Sequence, residues 1–125
     1  MIQPAIQFRV RFATVLVVTM TVLLPLQSVF GSGIARRDAV RSEEQHHQEA
    51  VQFAKAAADH GKSGQVGLFL SSTEAALQHA FKAGKDAHVD AGIVELKQAL
   101  EQERAGHADA ATQHAEQAVI HLSGK

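Results

Sequence analysis

Apolar residues recur every three or four positions through four segments of this chain, and glycines separate the segments. The clearest stripe includes Val89, Ile93 and Leu96, which share one face because an α-helix turns once in 3.6 residues. Alanine, glutamine, glutamate, leucine and lysine, all favourable helix formers, fill most of the other positions. The pattern therefore predicts four α-helices, over about residues 38–59, 66–83, 89–104 and 109–122.

The predicted helices are amphipathic and are joined by turns of a few residues. Val40 in the first helix, and Val66 and Phe81 in the second, are expected on the core-facing stripes, whereas the fourth helix presents mainly alanine. Asp90 and Asp109 follow their turns at the same offset and are predicted to be N-caps. Because short turns make successive helices antiparallel, the predicted fold class is all-α, an up-down antiparallel four-helix bundle.

Three segments of the chain have nearly the same sequence. Residues 64–79, 87–102 and 106–121 align without gaps, and residues 48–53 form a fainter fourth copy. One copy is a helix plus a turn, which is too short to bury a face alone, so neighbouring copies must pack on one another. The bundle is therefore interpreted as an array of internal helix-turn repeats.

The N-terminal segment differs in composition from the rest of the chain. Arg9 and Arg11 precede an apolar run over residues 12–26, and small residues follow it. That order is typical of a secretory signal peptide, so residues 1–35 are predicted to be removed, leaving residues 36–125 as one domain. The alternative is an uncleaved signal anchor, because the apolar segment approaches the length of a thin membrane span.

The domain left after cleavage would be weakly acidic. Losing Arg9 and Arg11 leaves ten basic residues against thirteen acidic ones, a formal charge of −3. Nucleic-acid binding depends on basic surface and often on stacking, and the chain has no Trp or Tyr, so no nucleic-acid partner is expected. About ninety residues form a small core with little room for a buried cofactor. A monomer with surface sites, without enzymatic activity and without membrane contact after cleavage, is expected.

Eight histidines are distributed over the predicted helices and turns. Folding the helices antiparallel groups the histidines at the two ends of the bundle, five at one end and three at the other. The larger group comprises His46, His47, His79, His88 and His121, and the smaller group comprises His60, His107 and His114. Glu43 and Glu44 precede His47 by four and three residues, spacings that share a helical face. The tightest metal site is therefore expected at the larger group.

Imidazole and carboxylate ligands without thiolate favour Cu(II), with Ni(II) and Zn(II) as alternatives. Met1 and Met20 are the only methionines and would leave with the signal, which removes thioether ligands for Cu(I). The competing interpretation is a non-catalytic helical interaction or stress protein, since histidines at helix ends often only bond carbonyl oxygens. Histidine at equivalent positions of the repeats, such as His79 and His121, favours metal binding.

The chain resembles the small metal-binding proteins over about residues 43–122. The resemblance is carried by Ala58-Asp-His-Gly-Lys62, by Ala87-His-Val-Asp90, by Gly106-His107 and by the helical run from His114 to His121. Proteins of this family are exported, histidine-rich four-helix bundles that bind divalent metals such as copper in the bacterial periplasm. The resemblance implies a periplasmic protein that buffers, stores or detoxifies divalent metal through surface histidines and carboxylates. The chain departs from the family pattern at Phe53, Gln65 and Gln102, where other copies have histidine.

Overall fold

Four α-helices account for nearly all of the described chain. The computed structural model describes residues 31–124, with α1 over Gly31–Lys62, α2 over Val66–Lys82, α3 over Ala87–Arg104 and α4 over Ala108–Leu122. These residues contain no strand, so the all-α prediction is confirmed, and the arrangement is consistent with a four-helix bundle. None of the described helices is long and apolar enough to cross a membrane. Residues 1–30 of the predicted signal peptide lie outside the described residues, and α1 begins at Gly31 instead of near residue 38.

The helices from Arg37 onward form one compact unit, in which neighbouring helices run antiparallel. In α1, His46 lies beside His79 at the end of α2, whereas the last turn of α1 approaches Phe69 at the start of α2. The first half of α3 lies against the end of α4, where Gly92 packs on Leu122. These contacts bring the middle of α1 and the last turn of α2 to the same place, which positions the site described below.

The core of this unit consists of two clusters of buried side chains that are rich in alanine. Alanine lets helices approach closely because its side chain is a single methyl group. Leu70 is half-buried and packs against both clusters. Thr73 is fully buried, and its hydroxyl donates to the Phe69 carbonyl oxygen at 2.7 Å. The first cluster comprises Ala50, Ala54, Ala76, Leu77, Ala80, Val89, Leu96, Leu100, Ala118 and Leu122, and the second comprises Ala57, Ala58, Phe69, Ala99, Ala111 and Ala115.

Glycines at the inter-helix turns explain why the helices end where they do. Gly64, Gly84 and Gly106 adopt φ angles of 70°, 85° and 83°, in the left-handed region that a residue with a Cβ atom rarely occupies. A residue in that conformation just after a helix lets the chain reverse direction. The glycine-marked ends predicted from the sequence therefore correspond to the observed turns.

The predicted helix caps are wrong by a few residues. The N-cap of α3 is Asp86, whose Oδ1 accepts from the backbone N–H of His88 at 2.7 Å. Asp90 lies instead in the first turn of α3, and Asp109 lies in the first turn of α4 after His107 as N-cap. A carboxylate in the first turn also stabilises a helix, because it interacts favourably with the helix dipole. Aspartate is therefore common both at the N-cap and in the first turn, and the sequence alone does not distinguish these positions.

The predicted core-facing stripes extend too far along the helices. Val40 and Phe81 are each 61% exposed, and Val66 is 51% exposed. Val66 is the first residue of α2 and Phe81 is in its last turn, so both lie at the ends of a helix whose buried residues run from Phe69 to Ala80. The Lys97 ammonium lies 5.5 Å from the centre of the Phe81 ring, which gives this exposed ring a cation–π contact.

Candidate metal centre

Three potential ligand atoms from two helices converge beside α1 and α2. The Nδ1 atoms of His46 and His79 lie 3.1 Å apart, and Glu49 Oε2 lies 3.3 Å from the first and 2.7 Å from the second. The side chains are half-buried, with exposed fractions of 28% for His46, 25% for His79 and 47% for Glu49. Within residues 31–124, no other three histidine or carboxylate side chains bring their ligand atoms within 4.8 Å of one another.

Helix geometry explains how this cluster forms. His46 and Glu49 are three residues apart on α1, a spacing that places two side chains on one face. The antiparallel packing of α2 brings His79, from its last turns, to that face. Phe53, one helical turn beyond Glu49, stacks on the His79 imidazole with ring centroids 5.3 Å apart and an interplanar angle of 15°. Each member of the cluster is therefore carried by a regular helix.

The three short distances cannot all be hydrogen bonds. Each Nδ1 atom carries at most one proton and an ionised carboxylate carries none, so two protons at most are available for three contacts. One contact is left between two acceptors or between two donors. A cation at the centre would instead be bound by all three atoms, since each can direct a lone pair at it. These three side chains could therefore hold a metal ion.

The distances also fit a transition-metal ion. Two ligands bound at about 2.0–2.1 Å, with angles between octahedral and tetrahedral values, are about 2.8–3.4 Å apart. The contacts of 3.1 Å and 3.3 Å lie in this range, and the contact of 2.7 Å between His79 and Glu49 needs only a slight widening. No large rearrangement is needed for His46, Glu49 and His79 to hold one ion.

Glu49 is a potential ligand that was not among the carboxylates predicted from the sequence. The carboxylates expected beside histidine were Glu43 and Glu44, but the structure places Glu43 against Gly84 and lets Glu44 accept from Gln48 at 3.0 Å. The sequence did contain a signal for Glu49, which follows His46 by three residues, as Glu44 precedes His47. Both spacings share a helical face, and only the tertiary packing distinguishes them.

His47 is the neighbour of His46 in the chain but makes a different contact. Its Nε2 donates to the carbonyl oxygen of Leu122 at 2.7 Å, which ties α1 to the last residue of α4. His47 also lines an open pocket together with Glu43, Glu44, Asp86 and His88. His47 and the two glutamates, which were expected to lie together, therefore line the same pocket. That pocket is separate from the cluster of His46, Glu49 and His79.

His114 and His121 lie on α4 and outside the three-atom cluster. His114 Nδ1 donates to Glu95 Oε2 at 2.8 Å, and both side chains are half-buried between α3 and α4. His121 is half-buried in the last turn of α4. His114 thus has a carboxylate partner on the adjacent helix that the sequence pattern did not predict.

His60 lies in the last turn of α1 and His107 is the N-cap of α4, and each lies beside a glutamine. His60 Nδ1 is 2.8 Å from Gln65 Oε1, and His107 Nδ1 is 2.9 Å from Gln102 Oε1. Both contacts are exposed. In each pair the imidazole donates to the amide oxygen, so the second ring nitrogen is left for solvent or a ligand. Both histidines were predicted to be metal ligands. In the structure they are not brought together, and each contacts a different glutamine at the surface.

The chain matches a known family over most of its length. The family model described as small metal-binding protein matches residues 11–125. No curated protein matches the chain at a significant level. The matched range includes all eight histidines and Glu49, so it contains the whole cluster described above.

Proposed function

The chain belongs to the small metal-binding protein family, and we propose that it binds a divalent transition-metal ion through His46, Glu49 and His79. The ion is the protein's cargo, and no catalytic role is assigned to it. Family membership supports metal binding in general. The convergence of two Nδ1 atoms and one carboxylate oxygen within 2.7–3.3 Å supports this location and carries the proposal.

The ligand set favours Cu(II), with Ni(II) and Zn(II) as weaker competitors. Imidazole nitrogen and carboxylate oxygen bind all three ions, and affinities for such sites are highest for Cu(II) among the divalent ions of the first transition row. The half-exposure of the three side chains leaves the ion open to water or to a further ligand. Such an open surface site suits buffering, storage or detoxification, because the ion can enter and leave without unfolding of the core.

Export to the periplasm is part of the proposal. Arg9 and Arg11 before the apolar run over residues 12–26 support it, as does the family's character as exported proteins. Fractionation of cells that express the full chain, followed by mass measurement of the purified protein, tests it. We expect periplasmic protein that has lost about the first 35 residues, as signal peptides are removed on export. Cytoplasmic protein that retains Met1 would refute export and leave metal binding to its own test.

Calorimetric titration with CuSO₄ and with ZnSO₄ tests the site itself. His46→Ala, His79→Ala and Glu49→Gln each remove one of the three donors, and we expect each to weaken or abolish the tightest binding event. His107→Ala is the matched control, because it removes an exposed imidazole whose partner is Gln102. Circular dichroism of every variant checks that helicity is retained.

The same titration has a defined pH dependence. Protons compete with metal for imidazole nitrogen, so affinity should fall steeply as the pH drops below about 6.5, where imidazole protonates. Absence of saturable binding at neutral pH in the folded parent protein would refute the proposed function. That outcome would favour the non-catalytic interaction protein. Binding that persists unchanged in His46→Ala and His79→Ala would instead show that the ion is held elsewhere.

A further inference from the structure

Phe53 is an exposed aromatic residue that lies directly against the candidate metal centre. Its ring stacks on the His79 imidazole at a centroid distance of 5.3 Å and an angle of 15°. The residue is 37% exposed and lies outside both buried clusters of the described residues. The His79 imidazole also faces the His46 ring, at 5.3 Å and 41°. Burial in the core therefore does not explain an aromatic residue at position 53, whereas contact with the ligand does.

The orientation of an imidazole decides whether its nitrogen can bind a metal ion. The ion lies near the ring plane, along the nitrogen lone pair, and the χ2 torsion that sets this plane is broad for histidine. A ring stacked on the imidazole restrains that torsion and so reduces the entropy lost on metal binding. In addition, an imidazole that binds a divalent ion becomes electron-poor, and the face of a phenyl ring attracts positive charge.

We propose that Phe53 is a positioning residue of the metal site, which holds the His79 ring with Nδ1 directed at Glu49 and His46. Phe53 offers no ligand atom and acts only through His79. This inference rests on the proposed function, because it assigns a role at the same site. The repeats give an independent indication, since the positions equivalent to Phe53 in two other copies are His79 and His121. At the equivalent position of α1, Phe53 thus replaces a histidine, and its ring supports the His79 ligand instead of binding metal itself.

The experiment compares the Phe53→Leu and Phe53→Tyr variants, each purified after expression of the full chain. Leucine keeps an apolar helix-forming side chain but removes the aromatic face, whereas tyrosine keeps the stacked ring. Phe81→Leu is the matched control, because Phe81 is an exposed phenylalanine on α2 that lies beside Lys97. The probe is the metal alone, Cu(II) for affinity by calorimetry and Zn(II) for nuclear magnetic resonance.

We expect Phe53→Leu to weaken the tightest binding about two- to tenfold, the range that an aromatic pair interaction represents. Phe53→Tyr and Phe81→Leu should bind like the parent. In the metal-free protein, loss of the ring current from Phe53 should shift the imidazole proton signals of His79 in Phe53→Leu. If Phe53 only stabilised the helix, the affinity of the folded Phe53→Leu protein for the metal would equal that of the parent.

Two results would overturn the role of Phe53 while metal binding at the site stands. One is a Phe53→Leu variant with parental affinity, and the other is an equal loss in Phe81→Leu. Failure of the proposed function is recognised separately, because the parent would then show no binding event that depends on His46 and His79. In that case the positioning role falls with it.

Discussion

Replacing Gly92 with alanine tests how closely α3 and α4 approach each other. Gly92 is buried, and a Cβ atom built on it would lie 2.6 Å from Leu122 Cγ and 2.8 Å from Leu122 Cδ2. Carbon atoms in favourable contact are about 3.5–4.0 Å apart, so something must move by roughly 1 Å. Leu122 is fully buried and therefore has little free space into which it can turn. The added methyl group should thus push the two helices apart.

Two opposing effects set the size of the change. Alanine is more favourable than glycine in a helix interior by about 1 kcal/mol. An extra methyl group in a packed core typically costs about 1–3 kcal/mol. We therefore expect Gly92→Ala to lower the free energy of unfolding by about 1 kcal/mol, which corresponds to roughly 4–8 °C in Tm for a domain of this size. Helix propensity alone would give the opposite sign.

Urea unfolding followed by circular dichroism measures this difference. Gly67→Ala is the matched control, since Gly67 also lies in a helix and a Cβ atom there would meet nothing within 4 Å. That control should be stabilised by about 0.4–1 kcal/mol. In the double variant Gly92→Ala/Leu122→Ala, the two costs should be less than additive, because the new methyl group occupies space that the leucine has left. A Gly92→Ala protein as stable as the parent would contradict the close approach of α3 and α4.

Two further predictions concern the ties between α1 and α4. His47→Ala removes the hydrogen bond to the Leu122 carbonyl and should cost about 0.5–1.5 kcal/mol in urea unfolding, whereas removal of the exposed His88 side chain should cost less. Lys62 Nζ lies 2.8 Å from Glu116 Oε1, and this bond raises the pKa of Lys62 above its ordinary value of 10.5. Because the pKa is raised on folding, the contribution to stability is present below pH 10.5 and is lost as the pH rises through the raised value. The Tm difference between the parent and Lys62→Met should therefore be visible at pH 8, shrink in high salt and vanish in strong alkali. A difference that persists unchanged at alkaline pH would show that the ion pair is not its cause.

The number of helices and the positions of the turns were predictable because their causes are local. Gly64, Gly84 and Gly106 occupy a backbone conformation that other residues rarely adopt, so their positions in the sequence mark the turns. The alternation of apolar and polar residues between them then favours one helix per segment. By contrast, the exposure of Val40 and Phe81 depends on which side chains of other helices pack against them, which no local pattern specifies.

The pairing of the histidines was not predictable from their spacing. Adjacent residues on a helix point about 100° apart, so His46 and His47 must face different neighbours. Which of the two faces α2 depends on the rotation of α1 about its axis, and that rotation is set by packing of its buried face, including Ala50 and Ala54, against the other helices. With His46 facing His79, Glu49 joins the cluster and Glu43 and Glu44 do not.

The proposed metal site lies across the contact between α1 and α2, so ion binding there would depend on the packing of these two helices. His46 and His79 are 33 residues apart in the chain and meet only when these two helices are packed, so the unfolded chain does not present the complete set of ligands. A ligand that binds only the folded state stabilises it, by about 2.7 kcal/mol when its free concentration is a hundred times Kd. Conversely, any change that loosens α1 from α2 weakens binding without removing a ligand. Gly92→Ala acts on the contact between α3 and α4, and none of the three candidate ligands lies on those helices, so it should lower stability while leaving the affinity of the folded protein nearly unchanged.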